Sequence, residues 1–176
     1  MITINYKDES YKLKNSFDEF VINEYEQINE LLLDQEKDII TKWISVLLYL
    51  GLPEYVINDL EEQDLINIIE GFSLDFNSHT NLKVKKEIKL NDEKFYCYDK
   101  KFFLTVKQCI IIEDILAKHK SKYFAELLDV IYQNPSSTLS KDIKIDLIRN
   151  TITFDIVLPI ISYLSNYFNL TNRNNE

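Results

Sequence analysis

The chain has 176 residues, 45% of them hydrophobic, which is enough for one domain with a real core. A formal net charge of −9 repels nucleic-acid phosphates, so direct nucleic-acid binding is not expected. Two glycines rule out a phosphate-cradling glycine-rich loop and a dinucleotide fingerprint, and no Gly-x-Ser-x-Gly elbow is present.

The charge is unevenly placed. Residues 1–76 carry 5 Lys and 17 Asp+Glu, a net −12, whereas residues 77–176 carry 15 Lys+Arg and 12 Asp+Glu, a net +3. Such asymmetry lets the two halves, or neighbouring copies, attract each other. The N-terminus, Met-Ile-Thr-Ile-Asn-Tyr, has neither a basic region nor an apolar signal run. The most apolar stretch, Ile156 to Leu164, is nine residues with Pro159 inside, far short of a membrane span. The expectation is a protein with no membrane segment, intracellular or packaged inside a particle.

In chain order, Ile2, Ile4 and Tyr6 alternate, Lys7-Asp8-Glu9-Ser10 has turn chemistry, and Tyr11 and Leu13 return. This predicts a hairpin with a connection of about four residues. A connector over Asn15 to Phe20 precedes a helix from about Glu24 to Leu33, with Asn23-x-x-Glu26 as its capping box. Asp34 to Lys37 is a charged break. A second helix continues to Leu50, where Gly51 fits a left-handed stop and Pro53 forbids continuation. Pro53 to Leu60 and Glu61 to Glu70 read as two short helices, the latter with Leu65, Ile68 and Ile69 inward and Gly71 closing it. Phe72 to Leu82 reads as a linker or, from its alternating Phe72, Leu74 and Phe76, a strand.

The pattern then recurs. Val84, Ile88 and Leu90 share one face of an extended run, Asn91 to Lys94 turns, and Phe95 to Tyr98 returns. Two helices follow, the first with a capping box at Thr105-x-x-Gln108 and an apolar stripe of Cys109, Ile112, Ile115 and Leu116. The stripe of the second is Phe124, Leu127, Leu128 and Ile131. Ile88 and Ile4, Ile112 and Ile28, and Val130 and Val46 are each separated by 84 positions. Between Phe20 and Tyr49, fourteen of sixteen apolar residues meet an apolar residue 84 positions on, against about nine by chance. The two boxes lie 82 apart instead, and identities are few. An internal repeat and two unrelated segments that happen to be in phase both fit this pattern.

Asn134 to Thr138 is a loop, Ser140 caps a helix through Asn150 with Ile143, Leu147 and Ile148 as its stripe, and a last helix runs from about Phe154 to Phe168. Pro159 either kinks that helix or begins its stronger part. Asn169 to Glu176 reads as a loose polar tail. Its Asn169-Leu170-Thr171 matches a glycosylation acceptor, taken as accidental without a secretory signal.

Residues for chemistry are sparse. His79 and His119 fall in a linker and a charged turn, and neither has a partner at metal spacing. Cys97 and Cys109 fit no zinc pattern and read as reduced core thiols. Glu61-Glu62-x-Asp64 and Glu113-Asp114 diverge around their helices rather than converging on a substrate. Lys83, Lys85, Lys86 and Lys89 read as a solvated face. No catalytic, metal-binding or cofactor-binding residue is assigned, and no enzymatic activity is expected.

Phe103-Leu104-Thr105-Val106-Lys107-Gln108, then Leu127-Leu128-Asp129-Val130-Ile131-Tyr132-x-x-Pro135, resemble small proteins of tailed bacteriophages, including crAss-like phages. In those, a hairpin precedes a Leu-Thr-x-x-Gln helix start and a second helix ends in an apolar-Tyr-x-x-Pro run. Where that family usually carries a glycine before the glutamine, this chain has Val106-Lys107. The resemblance covers about Lys83 to Pro135 and implies a virion component or tail-assembly factor, found in the virion or the host cytoplasm. It implies no active site.

The expected fold is α+β and mostly helical, a single domain over 1–176, with two hairpin–helix–helix modules (1–71 and 83–134) and closing helices over 139–169. The expected function is non-enzymatic protein–protein contact with other phage structural proteins or own copies. Ile4, Tyr6, Tyr11, Ile88, Phe95, Tyr98, Tyr163, Tyr167 and Phe168 are the interface candidates. The alternative is an acidic effector that binds and blocks a nucleic-acid-binding host protein.

Overall fold

Both hairpins turn on a residue in left-handed backbone. In the hairpin of β1 (Ile2–Tyr6) and β2 (Glu9–Leu13), Tyr6 pairs with Glu9, so Lys7 and Asp8 alone make the turn. In that of β3 (Glu87–Leu90) and β4 (Glu93–Cys97), Leu90 pairs with Glu93 and the turn is Asn91-Asp92. Lys7 and Asn91 both have φ +53°. The connections are thus two residues long, not the four expected, because a positive φ at the turn matches the right-handed twist of the strands. Asparagine tolerates that conformation, whereas lysine adopts it at a cost of about 1 kcal/mol.

The computed structural model describes residues 1–72, 83–97, 104–118 and 123–173, with side chains described as far as Ser165 in the last helix. The architecture is α+β and mostly helical, with two small antiparallel sheets and eight helices among the described residues. The linker expected over Phe72 to Leu82 lies outside them, except for Phe72 itself, which is buried.

The first hairpin leads to α1 (Ile22–Leu33), α2 (Ile39–Tyr49), α3 (Glu54–Asp59) and α4 (Glu62–Glu70). The second leads to α5 (Val106–Lys118) and α6 (Phe124–Ile131). Then come β5 (Tyr132–Gln133), α7 (Lys141–Thr151), a 3-10 turn over Phe154–Ile156 and α8 (Leu158–Arg173).

Helix ends follow local chemistry in most places. Thr105 and Gln108 form the expected box: Gln108 N donates to Thr105 Oγ1 at 3.2 Å and Thr105 N to Gln108 Oε1 at 2.9 Å. For α1 the box lies two residues earlier than expected. Glu24 accepts from the backbone N of Val21 at 3.1 Å, and Val21 offers no side-chain acceptor in return. Asn23 is thus inside the helix. The caps Val21 and Thr105 are 84 positions apart, as are the turn residues Lys7 and Asn91 and the pairs Ile4–Tyr11 and Ile88–Phe95. Gly51, at φ +91°, ends α2 as expected. Ser140 caps α7 by accepting from Ile143 N at 3.4 Å.

Three features of the C-terminal third differ from expectation. Ile143 is 53% exposed, because α7 turns Lys144 and Ile148 inward instead. β5 adds a third strand to the second hairpin, pairing Tyr96 with Gln133 and Cys97 with Tyr132. The last helix starts at Leu158 with Pro159 in its first turn, where a missing N–H costs nothing, and it continues through the expected polar tail to Arg173.

Two apolar clusters form the interior. The larger joins α1, α5–α8 and the second hairpin around Phe17, Tyr25, Phe124 and Phe154. Tyr25 and Phe154 stack at 3.7 Å between centroids, and Phe124 meets Phe154 edge-on at 4.8 Å. Burying a phenylalanine such as Phe154 contributes about 1.5–3 kcal/mol. The smaller cluster sets the first hairpin, through Ile4 and Leu13, on α2, α3 and α4 through Leu47, Leu52, Val56, Ile57 and Ile68. Trp43 and Leu50 pack against both. Among the described residues no helix is long and apolar enough to cross a membrane.

Candidate protein-contact site

The small cluster fixes the inner face of the first hairpin against α3. Ile4 and Leu13 point into it, and from α3 Val56 and Ile57 do the same. Helical spacing then puts Tyr55 on the outside, and it is 53% exposed. Tyr6 and Tyr11 flank it from the hairpin, with Glu9 between them in sequence and Asp59 one turn along α3.

These five side chains form two hydrogen-bonded groups, Tyr11–Tyr55–Glu9 and Tyr6–Asp59, joined by a contact between the Tyr6 and Tyr55 rings. The hydroxyls of Tyr11 and Tyr55 are 2.7 Å apart, and Tyr55 donates to Glu9 Oε2 at 2.9 Å. Tyr11 also donates to Glu9, and Tyr6 donates to Asp59. Two phenol protons serve the three contacts among Tyr11, Tyr55 and Glu9, so one contact lacks a proton at any moment. The Tyr6 and Tyr55 rings meet edge-on at 6.0 Å, and Lys7 Nζ lies 4.4 Å above the Tyr6 ring and 3.7 Å from Asp59.

The electrostatics set what this network can do. Hydrogen bonds from Tyr11 and then Tyr55 hold the Glu9 carboxyl below its ordinary range. The same bonds hold the Tyr11 hydroxyl above its ordinary value. Near neutrality Glu9 is thus a settled carboxylate and Tyr11 a settled phenol, which are the wrong states for passing a proton. What the cluster offers is one exposed tyrosine ring, Tyr55, beside the half-buried Tyr6 and Tyr11, with carboxylate oxygens held in place between them.

Of the sequence-derived interface candidates, the structure brings Tyr6 and Tyr11 together here. Ile4, Ile88 and Phe95 are buried, since strand alternation turns them inward, so their side chains serve the protein's own core. Tyr163 is half-buried on α8. Tyr98 lies outside the described residues, as do the side chains of Tyr167 and Phe168. Tyr55, Glu9 and Asp59 were missed from the sequence. The available signal for Tyr55 was its place beside the inward pair Val56-Ile57 in a helix begun at Pro53.

Two other polar clusters lie in the interior and serve the fold. Lys144 directs its ammonium to Asp129 Oδ1 at 2.9 Å, to the Asp129 carbonyl at 3.1 Å and to the Tyr132 carbonyl, and it lies 4.7 Å from the Phe95 ring centroid. All three of its donors are used. Arg149 bridges Glu126 at 2.9 Å and Glu26 at 3.3 Å, so one guanidinium holds α1, α6 and α7 together. Among the described residues no group of three or more His, Cys, Asp and Glu is placed to hold a metal ion. His79 and His119 lie outside those residues.

No protein-family model, curated protein or solved structure matches this chain.

Proposed function

We propose that this chain is a non-enzymatic structural or assembly protein of a tailed bacteriophage, acting by protein–protein contact through the Tyr6–Tyr11–Tyr55 cluster. The observation that carries the contact role is that cluster: exposed Tyr55 held by half-buried Tyr11 and by Glu9, with half-buried Tyr6 against its ring. Tyrosine supplies large contact area with little rotamer freedom to lose, and here its hydroxyls are already positioned. The phage assignment rests on the sequence resemblance over Lys83 to Pro135. Its partners are other phage structural proteins or copies of itself, and its location is the virion or the host cytoplasm. Mass spectrometry of purified particles tests the assignment. A virion component is present in fixed stoichiometry, and an assembly factor co-purifies with particle proteins in infected cells but leaves the finished particle. Absence from both, or retention unchanged in a Tyr6→Ala/Tyr55→Ala variant, refutes it.

A second reading, an acidic effector that blocks a nucleic-acid-binding host protein, has one observation in its favour. Glu54 on α3, Glu61 just before α4, and Glu62, Asp64 and Glu70 on α4 are all exposed, and among the described residues none of them is in an ion pair. Competition by duplex DNA for the captured host protein separates this reading from the first.

A further inference from the structure

Two pairings of a tyrosine with a carboxylate on the hairpins are completed by the protein's own lysines. At the first turn, Lys7 Nζ lies 4.4 Å above the Tyr6 ring and 3.7 Å from Asp59, which also accepts from the Tyr6 hydroxyl. Ring and carboxylate there hold one ammonium by cation–π attraction and charge together. In the second hairpin the exposed Tyr96 stands opposite Glu87, and Lys94, on the same strand as Tyr96, pairs with Glu87 at 3.1 Å.

A third such pairing lacks its cation. Tyr55 is 53% exposed and donates to Glu9 Oε2 at 2.9 Å, and Tyr11 donates to the same oxygen. Among the described residues Glu9 Oε1 accepts no hydrogen bond and Glu9 is in no ion pair. The lysines of this hairpin are engaged or turned away. Lys7 is drawn to Asp59, and strand alternation puts Lys12 on the opposite face from Glu9 and Tyr11. No Lys or Arg occurs between Lys42 and Lys83, the interval that contains α3.

We propose that the Tyr55 ring and the Glu9 carboxylate form a subsite for one arginine side chain of a protein partner. This rests on the protein-contact reading above and names the chemistry of the group that the partner inserts. A planar guanidinium can lie on the tyrosine ring while one N–H reaches Glu9 Oε1, which a compact ammonium does less well. The two phenols bond only to Oε2, so they fix the carboxylate without using the oxygen that the guanidinium takes. Lys7 on Tyr6 and Asp59 shows the same chemistry satisfied from within, one ring away. A phosphate is repelled by the same carboxylate, so nucleic acid is not the occupant.

NMR titration of the full chain with Nα-acetyl-arginine N-methylamide at constant ionic strength tests this. The Tyr55 ring and Glu9 carboxyl signals should shift saturably. Binding should weaken about tenfold when the neutral citrulline derivative replaces arginine, and by a similar factor in Glu9→Gln. The lysine derivative should also bind more weakly than arginine. Unchanged amide signals away from the hairpin and α3 show that Glu9→Gln folds, and the citrulline comparison needs no variant at all. No saturable shift up to about 50 mM overturns the proposal. So does equal binding of the citrulline or lysine derivative, undiminished binding in Glu9→Gln, or a response confined to other residues. The two readings fail separately. Arginine that does not bind, with retention in the particle still lost in Tyr6→Ala/Tyr55→Ala, overturns the subsite and leaves the contact reading standing.

Discussion

Lys144 Nζ lies 2.9 Å from Asp129 Oδ1, with both side chains inside the protein. The same ammonium holds the carbonyls of Asp129 and Tyr132, the two ends of the step from α6 into β5. Replacing Lys144 by Met leaves a buried carboxylate without its partner, at an expected loss of about 3–5 kcal/mol in urea unfolding. Asp129→Leu added to Lys144→Met should recover part of that loss, because no lone charge then remains. A double-variant loss equal to the sum of the Lys144→Met and Asp129→Leu losses would mean the pair is not coupled.

Arg149 faces a comparable test from the cation's side. Glu26 is 1% exposed and Glu126 partly buried, and both take the one guanidinium. Arg149→Met should cost about 3–5 kcal/mol near neutral pH. Glu26→Gln added to Arg149→Met should recover part of that loss, because the more deeply buried of the two charges left behind is then gone. Urea unfolding of the single and double variants would read this, and no recovery in the double variant would exclude it.

At the tyrosine cluster the two titrations oppose each other. The Glu9 carboxyl is lowered by bonds from Tyr11 and Tyr55, so its contribution is present above the ordinary carboxyl range and is lost as the pH falls through the lowered folded value. Tyr11 is raised above its ordinary 10.0, first by Glu9 and then by Tyr55. Its contribution is present below that value and is lost as the pH rises through the raised one. Tyr11→Phe removes the larger cause of the Glu9 shift. NMR titration should then find the Glu9 carboxyl closer to its ordinary value of 4.5, with Tyr55 still holding it somewhat below.

Gly51 and Gly71 resist substitution for different reasons. Gly51 sits at φ +91° with nothing within 4 Å of a built Cβ, so Gly51→Ala is opposed by torsion alone, at about 1–2 kcal/mol. Gly71 has ordinary torsions, but a Cβ there would lie 2.9 Å from Ile2 Cδ1. Gly71→Ala should therefore be rescued by Ile2→Val, which trims the side chain it meets. Ile2→Val should do nothing for Gly51→Ala. Thermal melts of the four variants check both statements.

Burial pushes the Cys97 thiol up to about 11 from 9.0. At pH 8 its thiolate fraction should be about a hundredfold lower than that of a free thiol, and alkylation correspondingly slow. Iodoacetamide kinetics in a Cys109→Ser background measure it. A rate near that of a free cysteine would contradict the burial of this side chain.

Features written in a few adjacent residues were legible in the sequence. Thr105 with Gln108, Ser140, Gly51 before Pro53 and the alternation around Ile4 and Ile88 each carry their own physical reason. Features that depend on distant partners were not. β5 is two residues long and exists because Tyr96 and Cys97 lie beside it. Lys144 reads as a surface residue until Asp129 and the Tyr132 carbonyl are placed around it. Val21 cannot be recognised as a cap, since the bond comes from Glu24 alone. The tyrosine cluster was half legible for the same reason. Tyr6 and Tyr11 share a hairpin, but only the packing of α3 brings in Tyr55.

α2 walls both interiors at once, with Val46 in one cluster, its neighbour Leu47 in the other and Trp43 against both. The first 72 residues also send Phe17, Phe20, Ile22, Tyr25 and Ile28 into the interior built by the C-terminal helices. The N-terminal part is therefore not an exchangeable cassette. A gene split after Phe72 should give two halves that are each insoluble or molten alone and recover an ordered fold only when co-expressed.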